Sequence, residues 1–331
     1  MKKIKNNNLN KKTIFLTGGT GSFGNAFVEE TLKKYKPKKI IIYSRDEMKQ
    51  WMMKEKFKSY KNIKFIIGDV RDKERLVNSL ENVDILIHAA ATKIVPTAEE
   101  NPTECIKTNI MGAINVLDAC REKKIKKIVA LSTDKASSPI NLYGATKLCS
   151  DKLFVSGNFT KNNLTKSCVV RYGNVMGSRG SVIPFFLSLN KNVPIPITDL
   201  NMTRFMISLD EAVQLVWFSI GDMIGGEIYV KKIPSMKVVD IARAIYKNPK
   251  FKIIGIRPGE KIHEQMIGAD DSLNTLEYKN YYKIMPFIKK NLNKIKKPPI
   301  NFVYASNTNS EWMKVSELKV WIEKNKKNFL L

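Results

Sequence analysis

The 331-residue chain holds only four cysteines and two histidines, and its 31 acidic residues are outnumbered by 57 Lys and Arg. Cys105, Cys120, Cys149 and Cys168 are widely spaced and form no C-x-x-C pair, which excludes a disulfide scaffold and the common zinc frameworks. His88 and His263 stand far apart without acidic or Cys ligand patterns, so no metal centre is expected. Apolar runs fall short of the roughly 20 residues that span a bilayer. The best candidate, 212–221, is closed in by Glu211 and Asp222. Residues 1–12 are basic and Asn-rich and lack the apolar core of a secretory signal, which reads as a solvated tail on a cytoplasmic protein with no membrane partner. The formal charge of +26 is the one excess. Its lysines are scattered among Asn and Ile instead of lining one groove with aromatics, so a solvated surface is expected and no nucleic-acid partner. The summed field still favours an anionic ligand.

With 43% hydrophobic residues, the chain has enough apolar material for a sizeable core. Short β-branched runs at 13–17, 39–43, 64–68, 85–89, 127–132 and 168–172 alternate with amphipathic stretches at 23–34, 48–57, 73–80, 102–122 and 143–156. That order predicts an α/β fold with a Rossmann-like, doubly wound parallel sheet over residues 13–175. Beyond it, prolines such as Pro184, Pro194, Pro196, Pro258 and Pro286 break the pattern. Residues 176–331 read as a smaller, loop-rich C-terminal substrate-binding region packed over the strand ends, with 289–299 as a solvated connection.

The first strand runs into Gly18-Gly19-Thr20-Gly21-Ser22-Phe23-Gly24 and then a helix. Glycines at 18, 21 and 24 allow a tight turn and close approach of a pyrophosphate to a helix N-terminus. At the end of the second strand, Ser44 and Arg45 suit the 2′-phosphate of NADP. Asp46, one position on, also suits the ribose of NAD, so the choice between the two stays open. Asp69 and Val70 are placed to meet the adenine, and Ala90 lies in a run of small residues that lets a cofactor rest on the backbone.

Tyr143 and Lys147 sit four residues apart on one predicted helix face. A nearby ammonium favours phenolate, which equips Tyr143 to take a hydroxyl proton as hydride leaves the adjoining carbon. The fifth strand ends in Thr133-Asp134-Lys135. Thr133 suits a substrate hydroxyl, while Asp134 and Lys135 supply the acid and base that water elimination needs and a simple dehydrogenase does not. Read alone, that pair equally fits a solvated turn.

Together, the glycine loop, Tyr43-Ser44-Arg45-Asp46-Glu47, Ser132-Thr133-Asp134-Lys135, Asn141-Leu142-Tyr143-Gly144-Ala145-Thr146-Lys147, Arg171-Tyr172-Gly173-Asn174-Val175 and Arg257-Pro258-Gly259-Glu260-Lys261 carry a resemblance. The chain resembles the soluble, carbon-5-inverting UDP-N-acetylglucosamine 4,6-dehydratases of pseudaminic acid synthesis, in the extended short-chain dehydrogenase/reductase superfamily. Lys135 marks the inverting type, since ordinary nucleotide-sugar 4,6-dehydratases have Glu there. The resemblance implies an NADP-dependent hydro-lyase in which Tyr143 deprotonates the 4-hydroxyl, Lys135 takes the carbon-5 proton and Asp134 protonates the departing 6-hydroxyl. A buried Lys135 is expected to have its pKa lowered enough to act as base. Among cofactor contacts it adds Lys49 and Val175. It assigns Lys93, Asn174, Val182, Thr198, Arg204, Arg257 and Glu260 to the sugar nucleotide, and it implies a homo-oligomer, dimer or hexamer. Competing readings are a nucleotide-sugar 4-epimerase, a retaining dehydratase, and a non-catalytic Rossmann protein that senses NADP.

Overall fold

The computed structural model describes residues 9–158, 164–190, 193–286 and 295–325. Residues 1–8 of the basic tail and most of the 289–299 connection lie outside them. The first half alternates β1 (Thr13–Thr17), α1 (Ser22–Lys34), β2 (Lys39–Ser44), α2 (Glu47–Lys56), β3 (Ile63–Ile67), α3 (Lys73–Ser79) and β4 (Ile85–His88). It continues through α4 (Val95–Glu100), α5 (Pro102–Ile106), α6 (Gly112–Glu122), β5 (Lys127–Thr133), α7 (Leu142–Ser156) and β6 (Lys166–Tyr172). β1, β4 and nearly all of β2 and β6 are buried, which is why they read as continuous apolar runs and not as alternating ones. β3, at the sheet edge, leaves Ile67 half exposed.

The expected single helix over 102–122 is instead interrupted. Residues 107–111 form a π turn between α5 and α6, and the wider turn buries Thr108 and Asn109. Asn109 Oδ1 accepts from the Thr92 amide at 2.8 Å, and its Nδ2 donates to Thr146 Oγ1 at 3.0 Å. The loop after β4 is thereby tied to α7.

Beyond β6 come β7 (Asn174–Val175), α8 (Val182–Ser188), β8 (Ile195–Ile197), β9 (Thr203–Ile207), α9 (Leu209–Asp222), β10 (Ile228–Lys231), β11 (Ser235–Lys237) and α10 (Val238–Ile245). The rest comprises β12 (Phe251–Ile253), β13 (Gln265–Ile267), α11 (Ala269–Ser272), β14 (Thr275–Glu277), β15 (Tyr281–Ile284), β16 (Tyr304–Ala305) and α12 (Val315–Asn325). The main sheet has the order β14-β15-β10-β6-β5-β4-β1-β2-β3. β10 extends it parallel to β6, whereas β15 and β14 close that edge in antiparallel pairs. Residues past 175 therefore supply three of the nine strands as well as cover over the strand ends.

The apolar 212–221 run belongs to α9, which opens on a Ser208/Glu211 capping box and buries Val213, Val216, Trp217 and Ile220. Trp217 Nε1 donates to Thr31 Oγ1 at 3.1 Å, locking α9 to α1. It is a core helix, and no helix among the described residues is long and apolar enough to cross a membrane. A second, separate core forms around Ile183, Phe186, Met206, Ile241 and Leu318. Between the two cores, above the carboxyl ends of β1 and β4 where the strand order reverses, lies the main cleft.

Candidate active site

The cleft has a volume of about 1330 Å³ and runs from the β1–α1 loop to the segment before β13. On its first wall, Gly18 adopts φ +64°, and a Cβ there would stand 2.7 Å from the Ala90 backbone. A Cβ on Gly24 would strike the Gly19 carbonyl, so α1 begins pressed against its own loop. The N-cap of α1 is Gly21, and no side chain caps the first turn. Its free N–H groups and the positive helix end fit the pyrophosphate of a dinucleotide, with Thr20, Ser22 and Phe23 lining the same wall.

At the end of β2 the expected cofactor residues are present but mutually engaged. The Ser44 and Thr20 hydroxyls hydrogen-bond each other at 2.8 Å. Asp46 caps α2 by accepting from the Lys49 amide at 2.9 Å and also pairs with the Lys49 ammonium. Arg45, with its side chain 58% exposed, lies 3.6 Å from Asp69. Burial opposes ionisation of Asp69, but two hydrogen bonds from Arg71 and the nearby Arg45 hold its carboxyl below the ordinary value. Val70 and Val175 line the cleft beside them. Sequence reading missed Arg179, whose guanidinium donates to the Thr20 carbonyl at 2.9 Å, next to the helix N-terminus. It sits in a loop after β7, where an isolated Arg carries no motif.

The wall that holds the expected catalytic residues is built from the end of β5 and the start of α7. Asn141 caps α7 by accepting from the Gly144 amide at 2.7 Å and donates to the Gly259 carbonyl, which brings the 257–261 segment over the helix. Tyr143 and Lys147 are both buried. Burial pushes the Tyr143 phenol up to about 12, and the ammonium that pulls it back is that of Lys135, together with a hydrogen bond to Thr133. The expected lowering by a neighbouring ammonium is thus outweighed, and the ammonium is a different one. Burial also lowers Lys147, with Asp151 acting in the opposite sense. Asp151 itself is buried, accepting from Ser132 Oγ at 2.8 Å and from Arg171 at 3.1 Å.

Lys135 corrects a second expectation. Its ammonium lies 3.2 Å from Asp134 Oδ1 and 2.8 Å from Glu264 Oε1. Burial works against the charge, but the two carboxyl groups outweigh it and lift Lys135 above its ordinary value instead of lowering it. Burial and then the Glu264 charge raise Asp134, whereas Glu264, despite burial, is held down by Lys135 and Arg204. Asp134 Oδ2, Glu264 Oε2 and Asn174 Oδ1 are buried without a hydrogen-bond partner among the described residues, and all three residues line the cleft. Such atoms are costly unless a ligand satisfies them. Glu264 has no counterpart among the sequence expectations. Its only signal was an acidic residue shortly after Lys261.

On the far wall, Glu260 gathers the residues expected to hold a sugar nucleotide. Arg257 donates to both its oxygens, at 3.0 and 2.8 Å, and Thr198 Oγ1 donates at 3.1 Å. Arg204 lies 3.8 Å from Glu260, but its guanidinium also donates to the carbonyls of Thr203, Lys261 and Ile262, so it pins this segment as well as lining the cleft. Lys93 donates to the Arg179 carbonyl at 3.0 Å, and Val182 opens α8 at the cleft edge. His88 is a buried strand-end residue bonded to Thr17, and His263 bonds Thr203.

The chain is 53% identical over 323 residues to the inverting UDP-N-acetylglucosamine 4,6-dehydratase of Campylobacter jejuni, covering 93% of this chain and 96% of that one. It is 43% identical to the UDP-glucose 4-epimerase of Rickettsia bellii over 283 residues, 82% of each chain. Among solved structures it resembles Pen from Bacillus thuringiensis, with a TM-score of 0.88, 36% identity and coverage of 96% of this chain and 99% of that one. The polysaccharide biosynthesis protein family matches residues 14–286. The chain belongs to that family and, within it, groups with the inverting UDP-N-acetylglucosamine 4,6-dehydratases.

Proposed function

We propose that the protein is an NADP-dependent UDP-N-acetylglucosamine 4,6-dehydratase that inverts carbon 5, acting in the cytoplasm at the head of pseudaminic acid synthesis. The observation that carries this reading is the ion pair of the buried Asp134 with the partly exposed Lys135 beside Tyr143, with Asp134 Oδ2 left for a ligand. The bound dinucleotide would supply hydride acceptance from carbon 4 and its return to carbon 6.

The side chains supply the proton chemistry. Tyr143 takes the proton of the 4-hydroxyl, and the resulting ketone acidifies carbon 5. Lys135 takes the carbon-5 proton in its neutral form, a minor state given its two carboxyl neighbours. Asp134, whose pKa is raised, gives its proton to the departing 6-hydroxyl. Thr133 holds the substrate hydroxyl near Tyr143. Ser44, Arg45, Lys49 and Arg179 offer positive charge or donors to the dinucleotide phosphates, and the engagement of Asp46 in capping α2 supports NADP over NAD. Arg257, Glu260, Thr198, Lys93, Asn174 and Val182 receive the UDP-sugar. The exposed apolar side chains of Ile106 and Met111, the exposed Cys149 and a second cavity lined by residues of α7 support pairing of two copies.

Incubation with UDP-N-acetylglucosamine and NADP, followed by NMR, tests the reading. A 4-keto-6-deoxy sugar inverted at carbon 5 is expected. The 43% identity to an epimerase favours a second reading, 4-epimerisation, in which the 6-hydroxyl stays in the product. Lys135→Ala is expected to abolish deuterium incorporation at carbon 5, and unchanged incorporation would remove Lys135 from the base role.

A further inference from the structure

Two buried carboxyl groups share one ammonium in the catalytic corner. Lys135 Nζ is 2.8 Å from Glu264 Oε1 and 3.2 Å from Asp134 Oδ1, and both acids are 1% exposed. Where two buried carboxyl groups meet one ammonium, the one with further positive neighbours ionises more readily and its charge opposes ionisation of the other. We infer that Glu264 is the ionised partner of Lys135 and thereby leaves Asp134 protonated, able to donate to the leaving hydroxyl. Glu264 is a positioning residue that decides which of two acids keeps the proton, and this role rests on the dehydratase reading above.

The surroundings favour that division. Glu264 faces Lys135 and also Arg204 of β9, whose Nε is 3.7 Å from Oε1, with Lys261 adding positive charge from the same segment. Asp134 faces Lys135, the Thr133 hydroxyl at 2.9 Å, the Tyr143 phenol, Lys261 and the Glu264 charge, and among the described residues no arginine pairs with it. The Glu264 backbone is fixed independently. Its amide donates to Ser306 Oγ at 2.9 Å and its carbonyl accepts from the Ser306 amide at 2.8 Å. Tertiary contacts with the residue that follows β16 therefore set where this charge stands.

Glu264→Gln keeps the shape and removes the charge. Asp134 then becomes the one carboxylate available to Lys135, so its pKa falls, and that of Lys135 falls with the loss of a carboxylate neighbour. Both limbs of the pH–rate profile are expected to move to lower pH, and at the wild-type optimum dehydration should slow by about 10²-fold. Oxidation at carbon 4 should survive, so near-ultraviolet absorbance should show reduced nicotinamide accumulating with substrate. Glu264→Asp, which keeps the charge, should hold the optimum near that of the wild type. An unshifted optimum with a wild-type rate in Glu264→Gln would overturn the inference. So would joint loss of carbon-4 oxidation and dehydration, which marks a merely structural role. Failure of the wild-type protein to dehydrate the sugar nucleotide would instead overturn the functional reading itself.

Discussion

Two corners of the cleft pair acidic with basic side chains, and they treat them in opposite ways. At the end of β2, Arg45 is 58% exposed and its Asp69 partner lies 3.6 Å away, while Asp46 and Lys49 pair within one turn of α2. At the end of β5, Asp134 and Glu264 are sealed from solvent around Lys135. In water an ion pair is worth little, so the outer corner can release its charges to an incoming phosphate at small cost. In the interior a charge cannot be exchanged for hydration, and protonation states are set by neighbours. The difference teaches that burial, and not residue type, separates a recruitable charge from a chemical one.

The sharpest break of this comparison is Tyr143→Phe, which removes one oxygen from the buried corner. The turnover number is expected to fall by about 10²–10⁴-fold, while calorimetric affinity for the sugar nucleotide changes little. A loss below about tenfold would place the proton transfer elsewhere. Next is the support behind that corner. Asp151→Ala strands the buried Arg171 guanidinium, which retains the Met266 carbonyl and a longer contact to Asp271, and should cost about 3 kcal/mol in urea unfolding. A cost near zero would show that water reaches this pair. Smallest is the outer corner, where Arg45→Ala should raise KM for NADP by about tenfold and leave KM for NAD unchanged, since one charge-assisted contact to a phosphate is lost. An equal change for both cofactors would remove Arg45 from the 2′-phosphate.

Much of the scaffold was legible because its signals are local. β1 is bounded as its apolar run predicted, the other five expected strands lie within two residues of their expected bounds, and the glycine loop leads into α1 as its spacing implied. Tyr143 and Lys147 were legible for the same reason, since helical spacing puts them on one face. The π turn was not, because the 102–122 stretch has the periodicity of one helix and the break is held by Asn109 bonding to distant Thr92 and Thr146. Nor were β10, β14 and β15, short segments whose strand character comes from the sheet edge they join. Arg179 and Glu264 reach the cleft from loops whose sequences carry no motif.

The sequence by itself determined the alternation of strands and helices, the phosphate-binding turn and the order of the reactive groups along the chain, because each depends on spacing within a few residues. Only the tertiary structure decided the charge of those groups. Burial was expected to lower the pKa of Lys135, and it is raised instead because Asp134 and Glu264, the latter held by Ser306 before β13, lie 3.2 and 2.8 Å from its ammonium. A pKa responds to every charge within reach and to the water that the fold removes, and neither is a property of neighbours in sequence.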